Sequence, residues 1–191
     1  MPRVPYQFPE PGSSEVADAI RARRKDGELI QLDGVLLHAP TLAAGYSSLL
    51  RSVRLENSLP ADIRELLILR VAVLNHAAYE WIAHEPLARS AGVTQVQLDT
   101  VRNENTALGD TVDPAGVFSE ATRVALAYTD WMTKNIHVPQ AVFNAVKTHF
   151  SDQQVVEITV TISTYNMVSR ILVALDVGDK ADTEIPQQEG I

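Results

Sequence analysis

The sequence contains no cysteine among its 191 residues, and this absence removes several kinds of chemistry at once. Disulfide bonds, thiolate metal ligands and cysteine nucleophiles all need the missing side chain. Positive charge is also scarce, since 16 Lys and Arg face 24 Asp and Glu and the net charge is −8. Binding to nucleic acid or to an anionic membrane surface needs clustered Lys and Arg, so we expect neither partner.

Long apolar runs are missing too. The longest, Leu66–Leu74, carries Arg70 and is much shorter than the about 20 apolar residues that span a bilayer. The N-terminal stretch MPRVPYQFPEPG is rich in proline and lacks the apolar core of a signal peptide. These features predict a soluble cytoplasmic protein.

Helical periodicity is what the sequence does have. Apolar residues make up 46% of the chain, which is enough to build a core, and no period-two strand pattern persists. The prediction is an all-α helical bundle of six or more helices in a single domain over residues 14–178. We expect a flexible N-terminal arm over residues 1–13 and a polar tail over residues 179–191. A weak echo between the stretches around Glu65 and Glu157 leaves two pseudo-repeats open.

Helix caps, prolines and glycines divide this domain into segments. Asn75 is expected to cap a helix that begins at His76, and Thr41 to cap one that begins at Leu42. Pro86 is expected to kink its helix or to split off the last turn. The predicted helices are Glu15–Lys25, Leu42–Arg54, Pro60–Leu74, His76–Ser90, Thr94–Glu104, Ser119–Trp131, Pro139–Phe150 and Ser151–Leu175. Glu28–Leu37 stays ambiguous, and Asn105–Val117 is predicted to be a loop.

Ionisable residues cluster where the longest apolar helix meets the next one. His76, Glu80 and His84 follow i, i+4, i+8 spacing, which places a carboxyl group between two imidazoles on one helix face. Burial raises the pKa of a carboxyl group because it disfavours the charged form, and a nearby histidine can then exchange a proton with it. Glu65 is expected on the same side, so Glu65, Glu80 and His84 form a candidate acid–base cluster.

The same residues also fit structural roles. Glu65 suits an ion pair with Arg70 that holds a buried helix in place, and Tyr79 and Trp81 suit packing. Glu80 and His84 suit a surface i, i+4 pair worth a few tenths of a kcal/mol. His76, Glu80 and His84 have spacing that a divalent metal accepts, but no second cluster supports a metal site. We therefore predict no metal and no cofactor.

The segment RELLILRVAVLNHAAYEWIAHEPLARSAGVT, residues 64–94, resembles the carboxymuconolactone decarboxylase family, which includes the alkylhydroperoxidase AhpD-like proteins. The resemblance is strongest over residues 58–95 and covers most of the chain more weakly. It implies an AhpD-like helical fold that assembles into homo-oligomers, as dimers, trimers or hexamers. In the peroxidase branch a glutamate precedes a Cys-x-x-Cys pair, and a histidine follows four residues after the second cysteine. Glu65 and His84 match the outer positions, whereas Ala77 and Glu80 stand where the cysteines would be.

The missing cysteine pair excludes a thiol peroxidase, because no thiolate can attack a peroxide. The decarboxylase branch uses no such pair. Its resemblance implies acid–base chemistry on a small organic acid or lactone, by decarboxylation, isomerisation or lyase chemistry. Glu80 or His84 is the expected proton carrier, Glu65 orients it, and Tyr79 donates a hydrogen bond to an oxyanion. The expected substrate contacts are Arg70, His76 and Trp81.

The alternative is a non-catalytic binding or scaffold protein on the same fold. A scaffold would leave Glu65, Glu80 and His84 in solvent or in salt bridges, with no cavity between them. An enzyme would bring them to one enclosed pocket.

Overall fold

The computed structural model describes residues 1–24, 26–104 and 116–187. The regular structure of these residues is entirely helical, as the sequence predicted, and a single 3-10 turn follows the last α-helix at Val177–Asp179. The α-helices are α1 (Glu15–Arg23), α2 (Gln31–Leu36), α3 (Pro40–Leu55), α4 (Ala61–Leu74), α5 (Ala78–Ser90), α6 (Gln95–Arg102), α7 (Glu120–Asn135), α8 (Gln140–His149) and α9 (Asp152–Ala174). No helix among the described residues is long and apolar enough to cross a membrane.

Helix α4 is the centre of the fold. Every residue from Leu66 to Val73 is buried, and the helix packs against α5, α6, α7 and α9. A helix that is apolar on all sides must be enclosed by neighbours to keep its side chains from water. The sequence predicted this burial, and two of the surrounding helices, α5 and α9, line the candidate site.

Four helices begin after a serine or threonine that caps their first turn. The hydroxyl oxygens of Ser14, Thr94, Ser119 and Ser151 each accept a hydrogen bond from a backbone amide in the first turn. Such caps satisfy amide groups that have no partner inside the helix. Thr41 is different, because α3 already begins at Pro40, whose fixed φ suits a first turn.

The junction between α4 and α5 differs from the prediction. Asn75 ends α4 instead of starting α5, and His76 adopts a left-handed backbone with φ of 53°. The amide of Ala77 donates to the carbonyl of Ala72 at 2.8 Å, and the amide of His76 donates to the carbonyl of Val73 at 3.1 Å. These two bonds form a Schellman turn, in which histidine occupies the position that glycine usually takes. His76 therefore lies outside α5 and off the face of Glu80 and His84.

Other boundaries differ by a few residues. Pro86 lies inside α5, which continues to Ser90, so the last turn is not split off. The ambiguous segment Glu28–Leu37 contains the short helix α2. Lys25, most of the predicted loop Asn105–Val117 and the end of the tail lie outside the described residues.

The proline-rich arm is extended and rests on the helical body. The Arg3 amide donates to the Leu175 carbonyl at 2.9 Å, and the Gln7 amide donates to the Gly34 carbonyl at 2.8 Å. A side chain at Gly34 would place its Cβ only 2.6 Å from the ring of Phe8, so glycine permits this close approach. The arm thus backs α2, which contributes to the cavity wall. Its flexibility stays a prediction.

Candidate active site

A cavity of about 70 Å³ lies where α2, α3, α5 and α9 meet. Glu80, His84 and Tyr79 line it from α5, and Tyr165 lines it from α9. Glu80 and His84 are one turn apart, so they present their side chains to the same side of α5. Two members of the predicted acid–base cluster therefore face one cavity.

Glu80 is buried, with 1% of its surface exposed. Its carboxyl oxygens lie 3.0 and 3.1 Å from the hydroxyl of Ser169, which is also 2.9 Å from the Tyr165 carbonyl. Burial raises the pKa of Glu80 well above its ordinary value, and the Ser169 hydrogen bond only partly opposes this shift. A serine hydroxyl has one proton to donate. In the neutral state Glu80 donates to Ser169, which donates to the Tyr165 carbonyl, so both protons find acceptors.

His84 is buried beside Glu80 and is tied to α4. Its Nδ1 lies 2.7 Å from Oε2 of Glu65, and both side chains are largely hidden from solvent. A carboxylate only accepts hydrogen bonds, so Nδ1–H is the donor and Nε2 is left as the basic nitrogen. Burial lowers the pKa of His84, and the hydrogen bond and charge of Glu65 oppose this effect. His84 is therefore neutral near pH 7.

Glu65 stands behind His84 and does not line the cavity. Its second oxygen lies 3.5 Å from Nε of Arg64, the preceding residue on α4. The two carboxyl groups of the predicted cluster thus differ in surroundings. Within the described ranges Glu80 has the Ser169 hydroxyl as its one polar partner, whereas Glu65 has an imidazole and a guanidinium group.

The two tyrosines of the cavity wall differ in their hydrogen bonding. The Tyr79 hydroxyl interacts with the backbone of Leu32 in α2, and burial raises the pKa of Tyr79. Tyr165 is almost fully buried, and its hydroxyl has no hydrogen-bond partner among the described residues. The Tyr165 ring packs edge-on against His84, with ring centroids 5.0 Å apart.

The three residues expected to contact substrate lie away from the cavity. Arg70 is fully buried and binds Asp130 through two hydrogen bonds of 2.7 and 2.9 Å, as well as the Val101 and Asn103 carbonyls. The predicted alternative pair of Arg70 with Glu65 is therefore replaced by a pair with α7. Arginine satisfies several acceptors in a core because its guanidinium group carries five donors.

His76 and Trp81 make their polar contacts away from the cavity. His76 is exposed, and its Nδ1 is 3.3 Å from a carboxyl oxygen of Glu104. Trp81 is completely buried beneath the guanidinium of Arg102, which sits 4.7 Å from the ring centroid. Its indole N–H donates to Glu85 at 3.2 Å. Neither side chain lines the cavity.

The sequence spacing of His76, Glu80 and His84 is compatible with a divalent metal site, but the structure does not bring the three side chains together. The turn at His76 separates that imidazole from the other two groups. Within residues 1–24, 26–104 and 116–187, no group of three His, Asp or Glu side chains is arranged to hold a metal ion.

Several cavity residues come from helices whose sequence gave no functional signal. Ser169 and Tyr165 belong to α9, and Arg54 lies in the last turn of α3. An arginine in the last turn of a helix is common because a cation there interacts favourably with the helix dipole. The position of Arg54 therefore gave no specific indication of a functional role. Arg23 at the end of α1 also reaches the cavity.

Residues 40–131 match the model of the carboxymuconolactone decarboxylase family. No curated protein matches the chain. Twelve solved chains match, so the fold has many structural counterparts.

Three of these structures illustrate the likeness. An uncharacterized peroxidase-related protein from Silicibacter sp. TM1040 is 14% identical, with a TM-score of 0.76 and coverage of 95% of this chain and 94% of that one. A peroxidase-related protein from Ralstonia eutropha JMP134, described as an alkylhydroperoxidase AhpD core, is 21% identical, with a TM-score of 0.72 and coverage of 92% and 90%. The debrominase Bmp8, a cysteine-to-alanine variant bound to 2,3,4-tribromopyrrole, is 16% identical, with a TM-score of 0.72 and coverage of 91% and 90%.

Identities this low establish the fold alone, and the fold is AhpD-like. The family match spans α3 to α7 and so includes Glu65, Glu80 and His84. The resemblance that the sequence indicated is confirmed. Over residues 40–131 the chain matches the carboxymuconolactone decarboxylase family, and it lacks the Cys-x-x-Cys pair.

Proposed function

We propose that this protein is a cysteine-independent enzyme that moves protons to and from a small organic acid or lactone, as a carboxy-lyase or an isomerase. One observation carries the proposal: a buried carboxyl group and a buried imidazole face the same cavity in opposite roles. Burial favours the protonated form of Glu80 by raising its pKa, and it favours the neutral form of His84 by lowering its pKa. Environments that separate two groups in this way assign the acid and the base.

His84 is the proposed general base. Its Nε2 is free to accept a proton from a substrate carbon or from water, and Glu65 stabilises the imidazolium that forms. Glu80 is the proposed general acid, which protonates the carbanion or enolate left by the first step. Proton transfer of this kind contributes about 10²–10⁴-fold to a rate. Glu65 touches no substrate in this scheme and acts through His84.

Two further observations support a small substrate. The cavity of about 70 Å³ is far below the about 300–1,000 Å³ of pockets that take drug-sized ligands. A protein of the same fold, the debrominase, was solved with the small ring compound 2,3,4-tribromopyrrole. The proposed reaction does not include Arg70, His76 or Trp81, since they lie outside the cavity.

The test is turnover of a panel of small carboxylic acids and lactones, followed by NMR for loss of CO₂ and for uptake of solvent deuterium. Glu80→Gln and His84→Ala are expected to lower turnover of an active compound by about 100-fold or more. Glu157→Gln is the matched control, because Glu157 bonds to Ser58 far from the cavity. Unchanged turnover in both site variants would contradict the proposal. Binding of a panel member without any turnover would favour the non-catalytic alternative.

We also expect a homo-oligomer in the cytoplasm. Large apolar side chains are exposed on α3 and α9, with Leu42 70%, Leu55 68% and Val156 61% exposed. Such side chains are typical of surfaces that pack against another subunit. A single monomer peak in light scattering at micromolar concentration would contradict this expectation.

A further inference from the structure

The cavity wall carries positive charge in a protein whose net charge is −8. Arg23, Arg24 and Arg54 all line it. Arg24 forms an ion pair with Asp33, so these two charges cancel. Arg23 and Arg54 make no hydrogen bond or ion pair with any residue in the described ranges. Arg23 and Arg54 therefore add two positive charges to the cavity wall that no carboxylate pairs with in the described ranges.

These charges act on the neighbouring groups. The charge of Arg54 contributes to lowering the pKa of His84, and the charge of Arg24 helps to lower the pKa of Arg23. Guanidinium groups without a protein partner on a cavity wall favour an anionic ligand, and their planar donors suit a carboxylate held by two hydrogen bonds.

The unpartnered hydroxyl of Tyr165 is a second, independent feature of the same cavity. A buried hydroxyl without a hydrogen bond costs about 1–3 kcal/mol. Burial raises the pKa of Tyr165 well above its ordinary value, so the hydroxyl keeps its proton and is a donor. The Tyr165 ring lies against His84, so this donor is close to the proposed base.

We propose that the cavity binds a short-chain oxo acid, with its carboxylate on Arg54 and its carbonyl oxygen on the hydroxyl of Tyr165. This inference rests on the proposed proton-transfer function and names the substrate class of the same site. Arg23 adds long-range attraction for the anion. Neither Arg54 nor Tyr165 was singled out by the sequence pattern.

The position of Arg54 also bears on which bond reacts. A carboxylate that leaves as CO₂ must pass its electron pair to the carbon that it leaves. An arginine that holds such a group stabilises the ground state and not the transition state, so it would slow the loss of CO₂. Arg54 therefore holds a carboxylate that stays in the product, and the reaction on a mono-acid is tautomerisation at the adjacent carbonyl group.

Each proton transfer in this tautomerisation has a donor and an acceptor in the cavity. Nε2 of His84 takes a proton from the carbon beside the carbonyl group, and the C–H electron pair becomes the C=C bond of an enolate. The negative charge on the enolate oxygen is stabilised by the Tyr165 hydroxyl. Glu80 protonates this oxygen to give the enol and becomes a carboxylate. The proton on His84 returns to Glu80 through water, which restores both groups.

The experiment measures binding and exchange separately, with 2-oxobutanoate as the probe and pentane-2,3-dione as its uncharged counterpart. NMR titration gives each Kd, and solvent deuterium at carbon 3 of 2-oxobutanoate, or at carbon 4 of the dione, reports proton abstraction. We expect wild-type protein to bind 2-oxobutanoate about tenfold or more tightly than the dione. Arg54→Gln should raise the Kd of 2-oxobutanoate about tenfold or more and leave that of the dione unchanged. Arg51→Gln is the control on the same helix, where Arg51 pairs with Glu56.

Two results would overturn the inference: equal affinity of wild-type protein for both probes, or an unchanged Kd for 2-oxobutanoate in Arg54→Gln. Failure of wild-type protein to bind 2-oxobutanoate would overturn it as well. Tight, Arg54-dependent binding without deuterium exchange would support the anion site and would count against the proposed proton transfer. The experiment therefore tests the anion site and the proton transfer independently.

Discussion

Nδ1 of His84 lies 2.7 Å from Oε2 of Glu65, which joins α5 to α4 at the wall of the cavity. The two residues are 19 positions apart in the sequence, and both side chains are buried. The contact fixes the orientation of the imidazole ring and selects the tautomer with Nε2 unprotonated. A proton accepted at Nε2 would create an imidazolium ion next to a carboxylate that stabilises it.

Replacement of Glu65 by Gln should lower the pKa of His84. Glu65 raises that pKa through its hydrogen bond and its charge, and the amide removes the charge. Because His84 acts as a base only when neutral, activity falls as the pH drops through its pKa. The acid limb of the pH–rate profile should therefore move to lower pH. NMR titration of the His84 ring measures the same shift directly.

Glu157→Gln serves as the control for that experiment, since it changes the same functional group on α9 at a distance from His84. It should leave the His84 titration where it is in the wild-type protein. A His84 pKa that stays constant or rises in Glu65→Gln would show that the contact does not tune the imidazole.

The sequence predicted those site contacts that lie within one helix. Glu80 and His84 face the same cavity because their i, i+4 spacing holds once α5 has begun. The prediction for His76 depended on α5 beginning at His76, but the Schellman turn at the end of α4 moves the start of α5 to Ala78. Such a turn is hard to foresee when the left-handed residue is a histidine and not a glycine.

The parts of the site that come from distant helices could not be predicted. Tyr165 and Ser169 reach His84 and Glu80 from far along the sequence, with 89 positions between Ser169 and Glu80, and no local spacing encodes these contacts. For Arg70 the sequence indicated the environment but not the partner. A lone arginine in an apolar helix indicates a buried charge, but only the packing of α7 shows that Asp130 is its partner.

The buried carboxyl group of Glu80 should make stability depend on pH. The folded-state pKa lies above the ordinary value of 4.5, so the folded protein keeps a proton that the unfolded chain releases. Wild-type protein therefore loses stability as the pH rises above 4.5 towards the raised pKa. Glu80→Gln has no proton to lose, so its stability relative to wild type should increase over that range. Urea unfolding at a series of pH values from 4 to 8 measures the difference.

The control for this prediction is Glu85→Gln, on the same helix, where the carboxyl group pairs with Arg89 at 2.7 Å. Its stability relative to wild type should not rise with pH. A constant difference between Glu80→Gln and wild type across the series would mean that Glu80 titrates normally in the fold.

Arg70 should matter for stability and not for the reaction. Arg70→Met leaves Asp130 without its main partner and two backbone carbonyls without a donor. Removing one member of a buried ion pair typically costs about 3–5 kcal/mol in unfolding free energy. Adding Asp130→Leu to Arg70→Met should recover part of that loss. Chemical denaturation measures both effects.

Turnover per folded molecule should stay near the wild-type value in Arg70→Met, because Arg70 lies outside the cavity. Arg54→Gln should show the reverse pattern, with little change in unfolding free energy and a loss of ligand affinity. If turnover of Arg70→Met falls by more than its unfolded fraction explains, Arg70 contributes to the reaction as the sequence analysis expected.

The Tyr165 hydroxyl should lower the stability of the fold and promote the reaction. Tyr165→Phe removes a hydroxyl that is buried without a hydrogen bond, so the unfolding free energy should stay level or rise, by up to about 1–3 kcal/mol. The same change removes the proposed oxyanion donor, and deuterium exchange into 2-oxobutanoate should fall by about 100-fold. Tyr128→Phe is the matched control, because the hydroxyl of Tyr128 is hydrogen-bonded to that of Thr159 at 3.0 Å and Tyr128 does not line the cavity. It should lower stability by about 1 kcal/mol and leave exchange nearly unchanged. If Tyr165→Phe destabilises the protein and exchange survives, the hydroxyl has a packing role and the donor must be sought elsewhere on the cavity wall.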